Sequence, residues 1–235
     1  MWQSRTELLL GEESLEKLAV ANVLVVGLGG VGAYAAEMIC RAGVGRMSIV
    51  DGDKINESNI NRQILALRST IGRYKTELME ERLMDINPDL QLRTINEFIR
   101  DERMIEILDE GYDYVIDAID TLSPKIYLIY HSIQKKIPIV SSMGAGGKLD
   151  PSSIRITDIS KTYNCKLARI LRKRLHKLGI RKGFKAVFSP EEVSEESIEL
   201  TENEQNKASN VGTVSYMPAA FGCACASVVI RALSF

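Results

Sequence analysis

The chain has 235 residues, a formal net charge of −1 and 45% hydrophobic residues. This apolar content with nearly balanced charge excludes a disordered chain, and the length suffices to bury a core without disulfides or structural metals. The longest uncharged apolar stretch, residues 20–36, contains four glycines and is short for a membrane span of ~20 residues. We expect no membrane association and, lacking a recognisable export signal, a cytoplasmic location.

Short apolar runs alternate with helical patterns along residues 12–141, which is typical of a parallel sheet covered on both faces. The fold class predicted is therefore α/β: a doubly wound, Rossmann-like, mostly parallel sheet with helices on both faces. Helices are predicted at 12–20, 33–42, 75–87, 102–109 and 124–136, and strands at 23–26, 47–50, 90–95, 114–116 and 137–141.

The pattern changes near residue 151. The second part carries an alternating edge strand at 154–157, an amphipathic helix at 163–178, a mobile acidic loop at 191–210 and an apolar helix at 218–233. We predict a nucleotide-binding domain over 1–150 and a smaller C-terminal α+β extension over 151–235, packed on the same domain.

A glycine-rich turn lies between the first predicted strand and its helix. Gly27, Gly29 and Gly32 match G-x-G-x-x-G, with Gly30 between them, and Asp51 ends the next strand. Glycines let backbone N–H groups approach phosphates at a helix N-terminus, and the acid can accept hydrogen bonds from ribose hydroxyls. The motif predicts a nucleotide site and, taken alone, favours a nicotinamide dehydrogenase.

The residues that follow favour a triphosphate instead. Arg62 and Lys75 can neutralise phosphate charge, and Asn59 and Gln63 can position phosphate oxygens without adding charge. Two carboxylates, Asp117 and Asp120, follow the fourth strand. They could hold Mg²⁺ on the phosphates. The alternative is that Asp120 caps the helix beginning near Pro124, for which Ser123 is the better placed residue.

Five features occur in one order along the chain and together resemble the ThiF/MoeB-like adenylating superfamily, over residues 5–145. They are the strand–GxGGVG–helix unit, Asp51, N-x-N-R-Q, the helix-opening Lys75 and D-A-x-D. The resemblance implies ATP as substrate, Mg²⁺, carboxylate adenylation and pyrophosphate release. The resemblance and the neighbouring loop positions imply two sets of site residues. The nucleotide contacts are Gly27, Gly29, Gly30, Gly32, Asp51, Asp53, Asn59, Gln63 and Asp117. The catalytic residues are Arg62, Lys75, Asp120 and Arg5. Asp120 would hold Mg²⁺, and Arg5 would be donated across a homodimer interface.

The remaining motifs narrow the resemblance. Members of the ThiF and MoeB types usually carry paired CxxC zinc ligands, which are missing here, so zinc is not expected. The segments 144–151, 157–162 and 187–191 and the basic helix between them are similar to the family of tRNA threonylcarbamoyladenosine dehydratases (the TcdA or CsdL group). That family cyclises the threonylcarbamoyl group on the adenosine next to the tRNA anticodon. Asn164-Cys165 stands where the family commonly has Asp-Pro.

Charge is unevenly distributed in the second part. Residues 161–185 hold ten Lys or Arg and no acid, whereas residues 191–204 hold seven acids and no base. We expect the basic helix to contact tRNA phosphates. The predicted contacts are Lys166, Arg169, Arg172, Lys173, Arg174 and Lys177.

Two other functions stay open at this point. The first is E1-like activation of a ubiquitin-like or sulfur-carrier protein, against which the basic segment and the missing CxxC pairs argue. The second is a nicotinamide oxidoreductase, which does not need Arg62 and Lys75. Whether a sulfur-transfer protein docks is also left open.

The cyclisation needs no side-chain nucleophile. Cys40, Cys223 and Cys225 are therefore predicted to be packed thiols, and Cys165 is the cysteine nearest the basic helix.

Overall fold

The computed structural model describes residues 2–200 and 209–235. Seven strands form one sheet, in the order β3-β2-β1-β4-β5-β7-β6. All neighbouring pairs are parallel except β6 and β7, which are antiparallel. In chain order the strands are β1 (Asn22–Val26), β2 (Arg46–Val50), β3 (Gln91–Ile95), β4 (Tyr114–Asp117), β5 (Ile139–Ser142), β6 (Arg155–Asp158) and β7 (Lys185–Phe188).

Helices cover both faces of this sheet. Strand side chains alternate between two apolar clusters, so that Val23 and Val25 lie in one and Leu24 and Val26 in the other. This period of two follows from strand geometry and explains why the runs are continuously apolar. In the described ranges the α-helices are α1 (Ser4–Leu10), α2 (Glu12–Val20), α3 (Gly32–Arg41), α4 (Lys75–Ile86), α5 (Asp101–Leu108), α6 (Leu122–Gln134), α7 (Lys166–Lys177) and α8 (Tyr216–Ser234).

The predicted fold class is confirmed. The first cluster joins α3, α4 and α8, and the second joins α5, α6 and α7. The short N-terminal helix α1 and the strand β7 were not predicted. The C-terminal part adds β7 and β6 to the main sheet, and the domain boundary at residue 150 stays a prediction.

Three local predictions are corrected. The basic helix begins at Lys166 rather than residue 163, because Asn164 adopts a left-handed φ of 48° that a helix does not accept. Helix α6 begins at Leu122, so Ser123 lies inside its first turn instead of capping it. The acidic loop contains a two-stranded antiparallel ribbon, β8 (Ile198–Leu200) and β9 (Ser209–Val211); residues 201–208 lie outside the described residues.

Helix α8 packs tightly on α3. A Cβ on Gly222 would lie 2.4 Å from the Val31 carbonyl oxygen, so glycine is required for this approach. By length and composition alone, α8 is one helix that could cross a membrane. Residues along its length, among them Met217, Phe221, Cys225 and Val229, are buried in the core with α3, as expected for the core helix of a globular fold.

Candidate active site

The carboxyl ends of the central strands define the site. Strand β1 lies between β2 and β4. After β1 the chain forms β2 and β3 on one side of it, and then returns to form β4 and the later strands on the other side. Open α/β sheets bind ligands in the crevice at such a reversal of strand order. The glycine loop follows β1, Asp51 follows β2, and Asp117 ends β4.

Glycine is required in this loop chiefly for close packing. Gly27 has a φ of 91°, and a Cβ there would lie 2.7 Å from the Ala118 carbonyl oxygen. At Gly30 an added Cβ would lie 2.8 Å from Cβ of Pro218. Gly29 differs, because an added Cβ would meet only Gln63 Nε2 at 3.9 Å. Gly29 therefore presents the open side of the loop.

A charged cluster joins β2 to the start of α4. Asp51 Oδ2 accepts a hydrogen bond from the Leu28 backbone N–H at 2.6 Å, and Oδ1 accepts one from the Asp53 N–H at 2.8 Å. Lys75 Nζ lies 2.8 Å from Asp53 Oδ2 and 3.6 Å from Asp51 Oδ2. Burial raises the pKa of Asp51, against the opposing effects of Lys75 and the two N–H groups. The cluster ties the glycine loop, β2 and α4 together.

The N-x-N-R-Q segment folds as short turns beside this cluster. Asn59 is buried, and its Oδ1 accepts from the Asn56 N–H at 3.1 Å. Arg62 is half-buried and donates to the Ser58 carbonyl oxygen at 2.7 Å. Gln63 is buried, and its Oε1 finds no partner among the described residues. A buried acceptor without a partner is costly, and this one belongs to the side chain that faces Gly29.

An aromatic ring that the sequence analysis missed lies at the same edge. Phe98 follows β3 and is 64% exposed. A Cβ added to Gly52 would lie 2.7 Å from the Phe98 ring, so the ring packs directly on the backbone next to Asp51. An aromatic residue shortly after the end of a predicted strand is the sequence signal that could have indicated it.

Asp117 does not lie open at the edge. Its Oδ2 accepts hydrogen bonds from Ser141 Oγ at 2.6 Å and pairs with Lys125 Nζ at 2.8 Å, and both charged side chains are fully buried. Lys125 also donates to the Ile119 carbonyl oxygen at 3.0 Å. Asp117 and Lys125 therefore have a structural role, because they fix the backbone at Ile119, the residue before Asp120.

Asp120 is exposed and lines a cavity beside the glycine loop. In the part of the chain that is described, no three His, Cys, Asp or Glu side chains group together as a metal site. A protein cage is not needed for Mg²⁺, which usually takes one or two carboxylates together with substrate phosphates.

Arg5 lies far from the glycine loop of its own chain. It is exposed on α1, where the nearby Gln3 packs against Gly43 just beyond the end of α3. The glycine loop precedes the opposite end of α3, which at 1.5 Å per residue is about 15 Å long. A role for Arg5 at a nucleotide therefore requires a second copy of the chain.

Helix α7 has a basic outer face. Its buried residues, Ala168, Leu171 and Leu175, pack on the sheet. Arg172 differs from the other predicted tRNA contacts, because it is half-buried and donates to the Thr162 carbonyl oxygen at 3.0 Å and to the Thr162 hydroxyl. The exposed cations of the predicted set are Lys166, Arg169, Lys173, Arg174 and Lys177.

The cysteines are mostly unreactive by environment. Burial raises the pKa of Cys40 to about 11 and that of Cys225 to about 12, so both remain thiols. Cys165 is half-buried at the start of α7. Cys223 was predicted to be packed, but it is exposed, because it lies on the outer side of α8.

Comparison with known proteins shows the family of this chain. The ThiF family model matches residues 3–234, and the chain belongs to this family. A Bacillus subtilis protein named tRNA threonylcarbamoyladenosine dehydratase is 46% identical over 188 residues, which are 80% of this chain and 74% of the relative.

Solved structures agree. The Escherichia coli tRNA N6-threonylcarbamoyladenosine dehydratase TcdA in complex with ATP superposes with a TM-score of 0.89 at 36% identity, covering 98% of this chain and 92% of that one. The same enzyme in complex with AMP gives a TM-score of 0.88 at 37% identity, covering 98% and 93%.

Proposed function

We propose that this chain is an ATP-dependent tRNA threonylcarbamoyladenosine dehydratase. The observation that carries the proposal is the buried Asp51–Lys75 cluster, which is fixed to the glycine loop at the ligand-binding edge of the sheet. The identity to relatives of that name supports the choice of substrate. The basic face of α7 offers charge for tRNA phosphates.

The ATP site is assembled from residues already near one another. Asp51 would hold the ribose, and the neighbouring Phe98 ring offers a face for the adenine. Lys75 and Arg62 would neutralise phosphate charge. The unpartnered Gln63 Oε1 fits an orientation in which this side chain meets a bound nucleotide.

The residues present also fit Mg²⁺ carried by ATP. Asp120 supplies a carboxylate at the rim, and the Lys125 bond to the Ile119 carbonyl oxygen holds the preceding peptide in place. When bound, the ion supplies charge neutralisation on the phosphates. Asp53 is half-exposed and paired with Lys75, so its part is to position that amine.

The chemistry follows in two displacements. A threonine carboxylate oxygen attacks the α-phosphorus of ATP. The bond between this phosphorus and the oxygen that bridges to the β-phosphorus breaks, and pyrophosphate leaves. The ureido nitrogen of the same group then attacks the activated acyl carbon, AMP leaves, and the nitrogen loses its proton. The second step is intramolecular, so proximity accelerates it, and Lys75 and Arg62 stabilise charge in the first step. The net change on tRNA is ring closure with loss of one water.

The direct test is incubation with MgATP and tRNA carrying threonylcarbamoyladenosine, followed by mass spectrometry of the nucleosides. We expect the modified nucleoside to lose one water as AMP and pyrophosphate appear. Unchanged tRNA, with an adenylate on the C-terminal glycine of a small carrier protein, would instead support E1-like activation.

We also propose a homodimer in which Arg5 acts on the partner's nucleotide. Exposed apolar residues on and beside α1, Trp2, Leu8 and Leu9, are suited to an interface. Arg5→Ala and Lys75→Ala proteins should each be inactive, yet regain activity when mixed, since one site of a mixed dimer would hold both native side chains. Failure of the mixture to act, with subunit exchange verified, would contradict the arrangement.

A further inference from the structure

The cavity that Asp120 lines opens at the ligand-binding edge of the sheet. Apart from Asp120, its lining residues have no part in the nucleotide contacts proposed above. Its volume is about 140 Å³. It lies between the glycine loop, the loop after β4, the end of β5 and the first turn of α7. The lining residues are Val31, Ala118, Ile119, Asp120, Ser142, Met143, Gly144, Ala145 and Leu167.

The position of this cavity separates it from Asp51 and Lys75. Asp51 and Lys75 lie on the β2 side of the glycine loop, whereas the cavity lies on the β4–β5 side. Both halves belong to the crevice at the carboxyl edge where doubly wound sheets bind ligands. A larger cavity of about 340 Å³, near Pro138 and Gly183, opens at the opposite edge and does not belong to this crevice.

Size and lining limit what the cavity can hold. Its volume corresponds to only about five water molecules at ~30 Å³ each. Most of the wall is apolar, from Val31, Ile119, Met143 and Leu167, and Asp120 stands at the rim. The Ser142 hydroxyl is buried and donates to the Met143 carbonyl oxygen at 3.0 Å. This suits a short, branched group better than a nucleobase with its sugar.

One wall connects the cavity to the basic surface. Leu167 belongs to the first turn of α7, between the exposed Lys166 and Arg169. A polyanion bound to these two cations would therefore lie within one helix diameter, about 10 Å, of the cavity. A group attached to a nucleotide of that polyanion can reach the cavity while its phosphates contact α7.

We propose that this cavity receives the threonyl end of the threonylcarbamoyl group and sets the size of the amino acid accepted. The proposal rests on the proposed function. The branched side chain packs between Val31 and Leu167, which leaves the carboxylate directed at the glycine loop, where the α-phosphate of ATP would lie. Gly144, Ala145 and Leu167 thereby determine specificity without taking part in the chemistry.

Gly144 allows a clean test. It is exposed on the cavity lining, has no left-handed φ, and an added Cβ meets no atom within 4 Å. Gly144→Ala and Gly144→Leu should therefore fold normally and add side-chain volume at the cavity lining in two steps. We expect kcat/KM for threonylcarbamoylated tRNA to fall a few-fold for the first and at least 10-fold for the second. The Kd for MgATP and the Kd for unmodified tRNA should stay within two-fold of wild type.

Leu167→Ala tests the same cavity by enlarging it. This variant should gain activity, relative to wild type, on a tRNA analogue whose threonine side chain carries one more methylene. Ile170→Ala is the matched control, since Ile170 is also half-buried on α7 but does not line the cavity. It should leave the preference unchanged.

The outcomes separate the two proposals. A wild-type protein that never cyclises threonylcarbamoylated tRNA overturns the proposed function. A wild-type protein that cyclises it, together with a folded Gly144→Leu variant of equal kcat and KM, overturns the cavity assignment. An unchanged side-chain preference in Leu167→Ala would overturn it too.

Discussion

The two halves of the ligand-binding crevice are built on opposite principles. On the β2 side, Asp51, Asp53 and Lys75 are charged groups that hold one another in place. On the β4–β5 side, the surface is a small apolar cavity with a single carboxylate at its rim. A polyanion that must be bound tightly calls for preorganised charge, whereas choosing among small groups calls for shape. The difference shows how one sheet edge can serve recognition and activation separately.

The largest expected effect comes from the charged half. Lys75→Ala should lower pyrophosphate release in the presence of modified tRNA about 10²–10³-fold, because it removes a preorganised cation from the phosphates. Lys54→Ala is the control, since Lys54 is exposed and lies over the Tyr74 ring, with Nζ 4.5 Å from the ring centroid. Wild-type turnover in Lys75→Ala would remove the basis of the proposed function.

The buried Lys125–Asp117 pair lies beneath the β4–β5 half of the crevice, and its loss should lower the stability of the protein. Lys125→Met leaves Asp117 fully buried without its cation and should cost about 3–5 kcal/mol of the free energy of unfolding. Chemical denaturation measures this. Adding Asp117→Asn to Lys125→Met should recover part of the loss, because the uncompensated charge is then gone. A Lys125→Met protein whose free energy of unfolding lies within about 1 kcal/mol of the wild-type value would show that the pair is not needed.

Charge reversal on α7 should affect tRNA and leave ATP alone. Arg169→Glu with Lys173→Glu should weaken tRNA binding and lower the slope of log K against log salt by about 2, since each phosphate contact contributes ~0.9. The MgATP Kd should not change. Reversal of two exposed cations outside α7, Lys17 and Lys136, provides the control. An unaltered slope in the α7 variant would remove the helix from the tRNA surface.

A smaller effect is expected at Glu37, which lies outside both halves. Burial raises the pKa of this carboxyl, but hydrogen bonds from Arg82 and Arg41 more than offset burial and leave its pKa below the ordinary value. A lowered folded-state pKa stabilises the protein above the unfolded value near 4.5, and the stabilisation is lost as pH falls through the folded value.

Glu37→Gln should therefore reduce stability by about 1 kcal/mol at neutral pH and by less below pH ~4. Thermal unfolding at pH 7 and at about pH 3.5 measures the difference. Glu13→Gln removes an exposed partner of Lys17 and should show no resolvable change. Equal losses at both pH values for Glu37→Gln would contradict the linkage.

The charged half was largely predictable from sequence, and the other half was not. The glycine loop, Asp51 and Lys75 are fixed by local patterns at strand ends and at a helix start, so their convergence follows from the parallel sheet. The Phe98–Gly52 contact and the Lys125–Asp117 pair depend on how loops and helices settle on that sheet. Periodicity placed Leu167 on the apolar side of its helix, but only the fold shows that it walls a cavity.

The contact between Pro218 and Gly30 has a consequence for biosynthesis. The loop near the beginning of the chain completes its environment only when a helix near the other end has settled against it. During translation these two segments are synthesised far apart in time, so nucleotide affinity should arise only after α8 has been made. Deleting α8 would then abolish ATP binding although every residue assigned to the ATP site is retained.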